Sequence, residues 1–230
     1  SSGGSRWRHA GQSCPGGTAV KHFDLSLYLV LDPDLSLPLG MVETARMAVA
    51  GGVTLVQLRD KNASTVQMIE TGRALKAALH GTGVPLIVND DVEAAIAIGA
   101  DGLHVGQGDM DAQTARRRIG PDMILGVSVQ TVGQAKLAEA QGADYLGVGA
   151  MFPTGTKLDA DAVSLAELQA ICQAVSIPVV AIGGITKQNL PTLQGSGICG
   201  VALVSAIFAS PDIRSACGEL KQLAEELVRA

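Results

Sequence analysis

The chain has 230 residues, a length that suits one large domain or two small ones. Hydrophobic residues make up 47% and charged residues only 17%, a composition that excludes disorder of the chain as a whole. No run of about 18 apolar residues encodes a membrane span. The net charge of −5 argues against non-specific nucleic-acid binding, although a local pocket can still bind small anions.

The first 22 residues differ in composition from the rest of the chain. They are rich in Gly and Ser, include Arg6, Arg8 and Lys21, and contain no acidic residue before Asp24. This composition predicts a disordered tail over 1–22 and a catalytic domain over 23–230. An organelle-targeting segment is a less favoured interpretation of the same residues.

From Leu25 onward, short β-branched runs alternate with Ala-rich helical stretches. The predicted strands cover 25–31, 53–59, 85–88, 102–105, 124–127, 145–148, 178–182 and 200–203. The predicted helices lie near 40–50, 65–80, 91–98, 112–118, 132–141, 164–174, 187–194 and 212–229. Eight strand–helix units predict an α/β fold, a single (β/α)8 TIM barrel. A doubly wound sheet needs only six strands and would leave two units over.

The loops that follow barrel strands share one face of the fold, and active sites form there. The second predicted strand ends in Gln57, Arg59 and Lys61, which strand alternation places on one face. An amide and two cations pointing the same way favour an anionic partner, and arginine has a planar fork that fits phosphate oxygens. A salt bridge from Arg59 to a neighbouring carboxylate is the alternative.

Acidic residues follow the third and fourth strands. Asp90 and Asp109 come from adjacent loops, and two carboxylates suit a hard cation such as Mg²⁺, which completes its shell with water and substrate phosphate. Helix capping is the competing interpretation, since Asp90 could begin a capping box and Asp91 or Asp111 could cap a helix. Each loop nevertheless has one acid more than capping requires.

Ser128 directly follows the fifth strand and could bind substrate or cap the next helix. We expect no His or acid in position to make it a nucleophile, and we expect His104 to be a hydrogen-bonded barrel residue rather than a catalyst.

The remaining loops offer groups for anions. The long loop after strand six carries Thr154, Thr156 and Lys157, a candidate clamp for phosphate or carboxylate with a solvated loop tip as the alternative. Glycines after strand seven allow backbone N–H groups to approach an anion, and barrels often bind phosphate between loops seven and eight. These features predict a phosphorylated substrate.

In combination, these strand ends closely resemble the thiamine-phosphate synthase family over about residues 27–209. The motifs are YLV at 28–30, QLRDK at 57–61, VND at 88–90, GLHVGQGD at 102–109, GVS at 126–128, PTGTK at 153–157, AIGGI at 181–185 and VSAIF at 204–208. The resemblance implies a transferase that joins a hydroxymethylpyrimidine to a thiazole phosphate. Diphosphate leaves first, in a dissociative step, and thiamine phosphate is formed.

The resemblance also implies a role for each matching residue. The pyrimidine diphosphate would be held by Gln57, Arg59, Lys61, Asn89, Ser128 and Lys157. Among these, the catalytic residues would be Arg59, Lys61, Ser128 and Lys157. The cofactor Mg²⁺ would be held by Asp90 and Asp109. The thiazole phosphate would be held by Thr154, Thr156, Gly184, Val204 and Ser205.

Two alternatives remain at this point. One is a thiazole tautomerase-like barrel isomerase, which has no need of the diphosphate and metal residues. The other is a non-catalytic thiamine-phosphate-binding protein, for which a missing ligand residue would be the sign.

The expected partners are the two small-molecule substrates, with no nucleic acid or membrane and with a homo-oligomer left open. The cysteines fit no metal-ligand spacing or dense disulfide framework, and we expect Cys172, Cys199 and Cys217 to be small buried residues. This pattern predicts a reducing, cytoplasmic location.

Overall fold

A computed structural model describes residues 6–8, 19–153 and 162–229. It contains a closed barrel of eight parallel strands, which confirms the predicted α/β fold and the single (β/α)8 barrel. The barrel strands are β1 Leu27–Leu31, β2 Leu55–Leu58, β3 Leu86–Asn89, β4 Gly102–Val105, β5 Ile124–Val129, β6 Tyr145–Val148, β7 Val179–Ala181 and β8 Gly200–Leu203. The α-helices are α1 Met41–Gly51, α2 Thr65–Leu79, α3 Val92–Ile98, α4 Ala112–Ile119, α5 Val132–Ala140, α6 Leu165–Ala174 and α7 Ile213–Arg229. None of these helices is long and apolar enough to cross a bilayer.

Each barrel strand pairs in parallel with the strand before and after it in the chain. The ring closes where β8 pairs with β1, with Ala202 opposite Tyr28. The pairing of β4 with β5 places His104 opposite Gly126, and the pairing of β5 with β6 places Ser128 opposite Gly147. All eight strands therefore end at the same mouth, which brings the loops after them together.

Two apolar layers hold the barrel together because alternate strand residues point to opposite faces. In β1, Leu27, Leu29 and Leu31 pack outward against the helices, whereas Tyr28 and Val30 point into the barrel. Both faces of a parallel barrel are buried, so its strands are nearly continuous apolar runs. The inward layer changes from apolar to polar toward the mouth, where Gln57 and Asn89 are buried.

Gly126 makes room for one of the two tyrosine side chains of the interior. A Cβ at this position would overlap the ring of Tyr145, which is fully buried. The Tyr145 ring in turn lies 5.8 Å from the Tyr28 ring and 5.6 Å from the His104 ring, centroid to centroid. The glycine of the GVS motif thus has a packing role inside the barrel.

Most predicted elements agree with the structure to within two residues at each end, and two of the differences have a clear local cause. The predicted helix over 187–194 is only a short 3₁₀ helix, Leu190–Leu193, because Pro191 lacks the N–H that a regular helix would need. The first strand begins at Leu27 rather than at residue 25, since the Asp24 carboxylate accepts hydrogen bonds from the backbone N–H and the hydroxyl of Ser26.

Cys172, Cys199 and Cys217 are buried, as expected, but they are not all alike. Cys172 and Cys217 are free, whereas Cys199 is disulfide-bonded, contrary to our expectation. Near the N-terminus, Arg6–Arg8 and Ala19–His22 form a two-stranded parallel sheet. The other residues of 1–18 lie outside the described part of the chain, so the disordered tail stays a prediction.

Candidate active site

Gln57, Arg59 and Lys61 occupy the end of β2 and the loop that follows it. Gln57 points into the barrel and is 4% exposed, whereas Arg59 and Lys61 are exposed at the mouth. Arg59 forms no ion pair with any of the described residues, so the salt-bridge alternative does not apply to that part of the chain. The Lys61 Nζ lies 4.0 Å from the Asp90 Oδ2, and both side chains are about half exposed.

The acidic residues of the loops after β3 and β4 fall into two groups, those that cap a helix and those that face the site. Asp91 caps α3, with its carboxylate accepting from the Ala94 N–H at 2.9 Å, and Asp111 caps α4 in the same way through the Thr114 N–H. Asp90 and Asp109 are the residues left over, as the sequence indicated. The two carboxylates lie close enough to interact directly, and Asp109 also accepts from the Gly106 N–H at 2.8 Å.

Asp90 is under electrostatic and backbone strain. Burial raises the pKa of its carboxyl, and the neighbouring Asp109 carboxylate raises it further, while Lys61 opposes the shift. Its φ of 66° lies in the left-handed region, where a non-glycine residue is uncommon. Such a pair of repelling carboxylates is stabilised by a cation. Within the described residues there is no group of three or more acidic, His or Cys side chains that could hold a metal.

A continuous chain of side chains, all buried except the half-buried Ser128, crosses the barrel below the mouth. Its hydrogen bonds measure 3.1, 2.9, 2.7, 2.8 and 2.7 Å in order. The members, in that order, are Asn89, Gln57, Tyr28, Tyr145, His104 and Ser128. The chain links the predicted pyrimidine residues of β2 and β3 with the one on β5.

Sequence analysis gave no role to Tyr28 and Tyr145, the two tyrosines of the protein. Both are fully buried, and burial raises the pKa of each hydroxyl. The available signal was strand alternation, since each lies at an inward position of its strand. A buried hydroxyl at such a position needs a polar partner within the barrel.

His104 is a hydrogen-bonded barrel residue, as expected, and it lies beside Ser128. The His104 Nε2 is 2.7 Å from the Ser128 Oγ, and the other ring nitrogen contacts the Tyr145 hydroxyl rather than a carboxylate. Burial lowers the pKa of His104 to about 4. His104 is therefore neutral at pH 7, and it lacks the acid that completes a nucleophilic triad.

Loops seven and eight contribute backbone groups at the opposite side of the mouth. Gly183 and Gly184 have φ values of 104° and 66°, and a Cβ on Gly184 would overlap the Phe152 carbonyl oxygen. Ser205 precedes a 3₁₀ helix, Ala206–Phe208, and the first N–H groups of a helix have no partner within it. Val204 is partly buried at the end of β8. The predicted Thr154, Thr156 and Lys157 lie outside the described residues.

Comparison with known proteins agrees with this geometry. The family described as thiamine monophosphate synthase matches residues 27–207. The chain belongs to this family. Thiamine-phosphate synthase from Clostridium beijerinckii is 49% identical over 86% of this chain and 95% of the relative, and that from Clostridium tetani is 44% identical over 87% and 96%. The structure of thiamine phosphate pyrophosphorylase from Pyrococcus furiosus, 40% identical, has a TM-score of 0.80 and covers 88% of this chain and 96% of that one.

Membership of the thiamine monophosphate synthase family makes the protein an enzyme of the transferase class. Its barrel brings two exposed cations, a carboxylate pair and a polar chain to one mouth. This arrangement can bind a highly charged anion through the cations while it holds an uncharged ring through amide and hydroxyl groups.

Proposed function

We propose that the protein transfers the hydroxymethylpyrimidine group from its diphosphate to a thiazole phosphate, releasing diphosphate and forming thiamine phosphate. The observation that carries the proposal is the meeting of Arg59 and Lys61 with the Asp90–Asp109 pair at the mouth of a barrel of this family. Two exposed cations beside two repelling carboxylates fit a diphosphate and a divalent cation together.

The cations would act on the leaving group. Departure of diphosphate places growing negative charge on its oxygens, and fixed positive groups stabilise that charge best in a site that excludes water. Arg59 would bind the diphosphate oxygens through bidentate hydrogen bonds of its planar guanidinium, and Lys61 and Lys157 would each contribute a positive charge.

The carboxylate pair fits Mg²⁺. This ion is usually held by one or two protein carboxylates together with substrate phosphates, and Asp90 and Asp109 are such a pair, with no third acidic, His or Cys ligand among the residues that the structure describes. Mg²⁺ bound there would neutralise charge on the diphosphate oxygens.

The polar chain would hold the pyrimidine. Gln57, Asn89 and Ser128 line the interior just below the cations, where an uncharged heterocycle can meet amide and hydroxyl groups. The Ser128–His104 pair lacks a carboxylate, and no covalent intermediate is required. As the family resemblance implies, the reaction would be dissociative, with a resonance-stabilised pyrimidine cation formed before the thiazole nitrogen captures it.

The thiazole phosphate would bind on the other side of the mouth. Gly184, Val204 and Ser205 lie where loops seven and eight offer backbone N–H groups, and Thr154 and Thr156 would add hydroxyls. Capture of the pyrimidine cation by the thiazole would then depend mainly on how the two reactants are positioned, because holding both in place supplies much of the rate acceleration.

A thiochrome fluorescence assay tests the proposal. The wild-type protein is incubated with both substrates, with and without Mg²⁺, and product is converted to fluorescent thiochrome. Mg²⁺-dependent product is expected, with strong loss in Asp109→Asn and little change in Asp111→Asn, a charge-matched control that keeps a good helix cap. Equal activity of Asp109→Asn and the wild type would refute the metal assignment. If the folded wild type makes no product, the isomerase or the non-catalytic binding alternative applies.

A further inference from the structure

The hydrogen bonds across the barrel have a direction that follows from counting protons. The Gln57 amide Nε2 donates to the Tyr28 hydroxyl at 2.9 Å. Among the described residues the Tyr28 hydroxyl has one other hydrogen-bond partner, the Tyr145 hydroxyl at 2.7 Å. A hydroxyl has a single proton, so Tyr28 donates to Tyr145.

The direction continues to the mouth of the barrel. Tyr145 already accepts from Tyr28, so its own proton goes to the His104 Nδ1 at 2.8 Å. The imidazole proton therefore lies on Nε2 and is donated to the Ser128 Oγ at 2.7 Å. Ser128 then accepts from His104 and has its own proton free for a group in the mouth.

With the Gln57 Nε2 facing Tyr28, the other protonation states of His104 leave a buried donor without a partner. A proton on Nδ1, in the neutral or the cationic ring, would make Tyr145 donate to Tyr28 instead. The Tyr28 hydroxyl would then accept twice, and its proton would have no acceptor in a site that is 1% exposed. An unsatisfied buried donor carries its full desolvation penalty, which disfavours both states.

We propose that Gln57, Tyr28, Tyr145 and His104 form a one-way hydrogen-bond relay that presents Ser128 to the substrate as a donor. Tyr28, Tyr145 and His104 are positioning residues, which act through Ser128. The relay selects a substrate atom with a lone pair, such as a ring nitrogen or a phosphate oxygen, over an N–H group. This last step rests on the proposed function, whereas the direction of the relay does not.

The Gln57 amide sets the direction. Rotating this amide by half a turn would place its oxygen against Tyr28 and reverse every donor along the chain. Ser128 would then donate to His104 and could only accept from a ligand. The tautomer of His104 thus reports the direction of the whole relay.

The test is ¹⁵N NMR of the histidine-labelled full chain without substrate, at neutral pH. The chain has four histidines, and loss of one signal in His104→Gln assigns His104. We expect a single Nε2–H tautomer in the wild type and a mixture in Tyr145→Phe. An Nδ1–H tautomer, or a mixture, in the wild type would overturn the relay. The wild-type result stands even if Tyr145→Phe fails to fold, and it does not depend on whether the protein makes thiamine phosphate.

A double-mutant cycle tests the connection to Ser128. Tyr145→Phe is expected to lower kcat/KM about tenfold in the wild type but less than twofold in Ser128→Ala, since the relay would already be cut. An equal loss in both backgrounds would mean that Tyr145 acts only by packing, and would refute its positioning role.

Discussion

Replacing Gly126 with alanine should destabilise the barrel from inside. The new Cβ would overlap the Tyr145 ring, and overpacking a tight interior costs about 1–3 kcal/mol. Displacement of the ring would also weaken the two hydrogen bonds of its hydroxyl, each worth about 0.5–1.5 kcal/mol. The sum is a loss of about 2–6 kcal/mol of unfolding free energy.

Urea unfolding followed by circular dichroism measures this loss, and thermal unfolding provides a second readout. In a chain of this size, a loss of about 3 kcal/mol lowers Tm by roughly 6–12 °C. Gly133→Ala in α5 is the matched control, because its nearest neighbour would be 3.9 Å from the new Cβ. That variant should gain up to about 1 kcal/mol from helix propensity. If Gly126→Ala were as stable as the wild type, the packing of Tyr145 described above would be wrong.

Three further predictions concern charge and backbone. Asp109→Asn should lower the pKa of Asp90, which a ¹³C NMR titration measures. A raised carboxyl pKa makes the unfolding free energy fall as the pH rises through that pKa. The unfolding free energy of this variant should therefore fall less with rising pH than that of the wild type. Arg116→Ala should cost about 3–5 kcal/mol in urea unfolding, since it removes the cation that is paired with the buried Asp144 carboxylate, whereas Arg118→Ala at an exposed pair should cost under about 1 kcal/mol. Gly184→Ala should raise the KM for the thiazole phosphate more than that for the pyrimidine substrate, and an unchanged thiazole KM would remove loop seven from the site.

The fold could be predicted because the pattern of a parallel barrel is local. Each strand is a short apolar run, five of the described helices (α2 to α6) begin at a residue whose side chain caps them, and eight repeats of the unit allow few architectures. The length of the predicted helix over 187–194 was overestimated, because Pro191 lies within a sequence that otherwise resembles a helix.

The site could be predicted in part. Arg59, Lys61, Asp90 and Asp109 follow strand ends, so barrel topology alone brings them to one mouth. The relay through the interior was missed, because contacts between side chains of strands far apart in the chain depend on register. The bond between the Tyr28 and Tyr145 hydroxyls joins residues 117 positions apart.

The measurement that tests the proposed reaction most directly is ³¹P NMR of a complete reaction mixture with Mg²⁺. Thiamine phosphate and diphosphate should appear in equal amounts, at the expense of the pyrimidine diphosphate and the thiazole phosphate together. A folded protein that leaves both substrates unchanged, or that releases diphosphate without forming thiamine phosphate while thiazole phosphate is saturating, would contradict the proposed transfer.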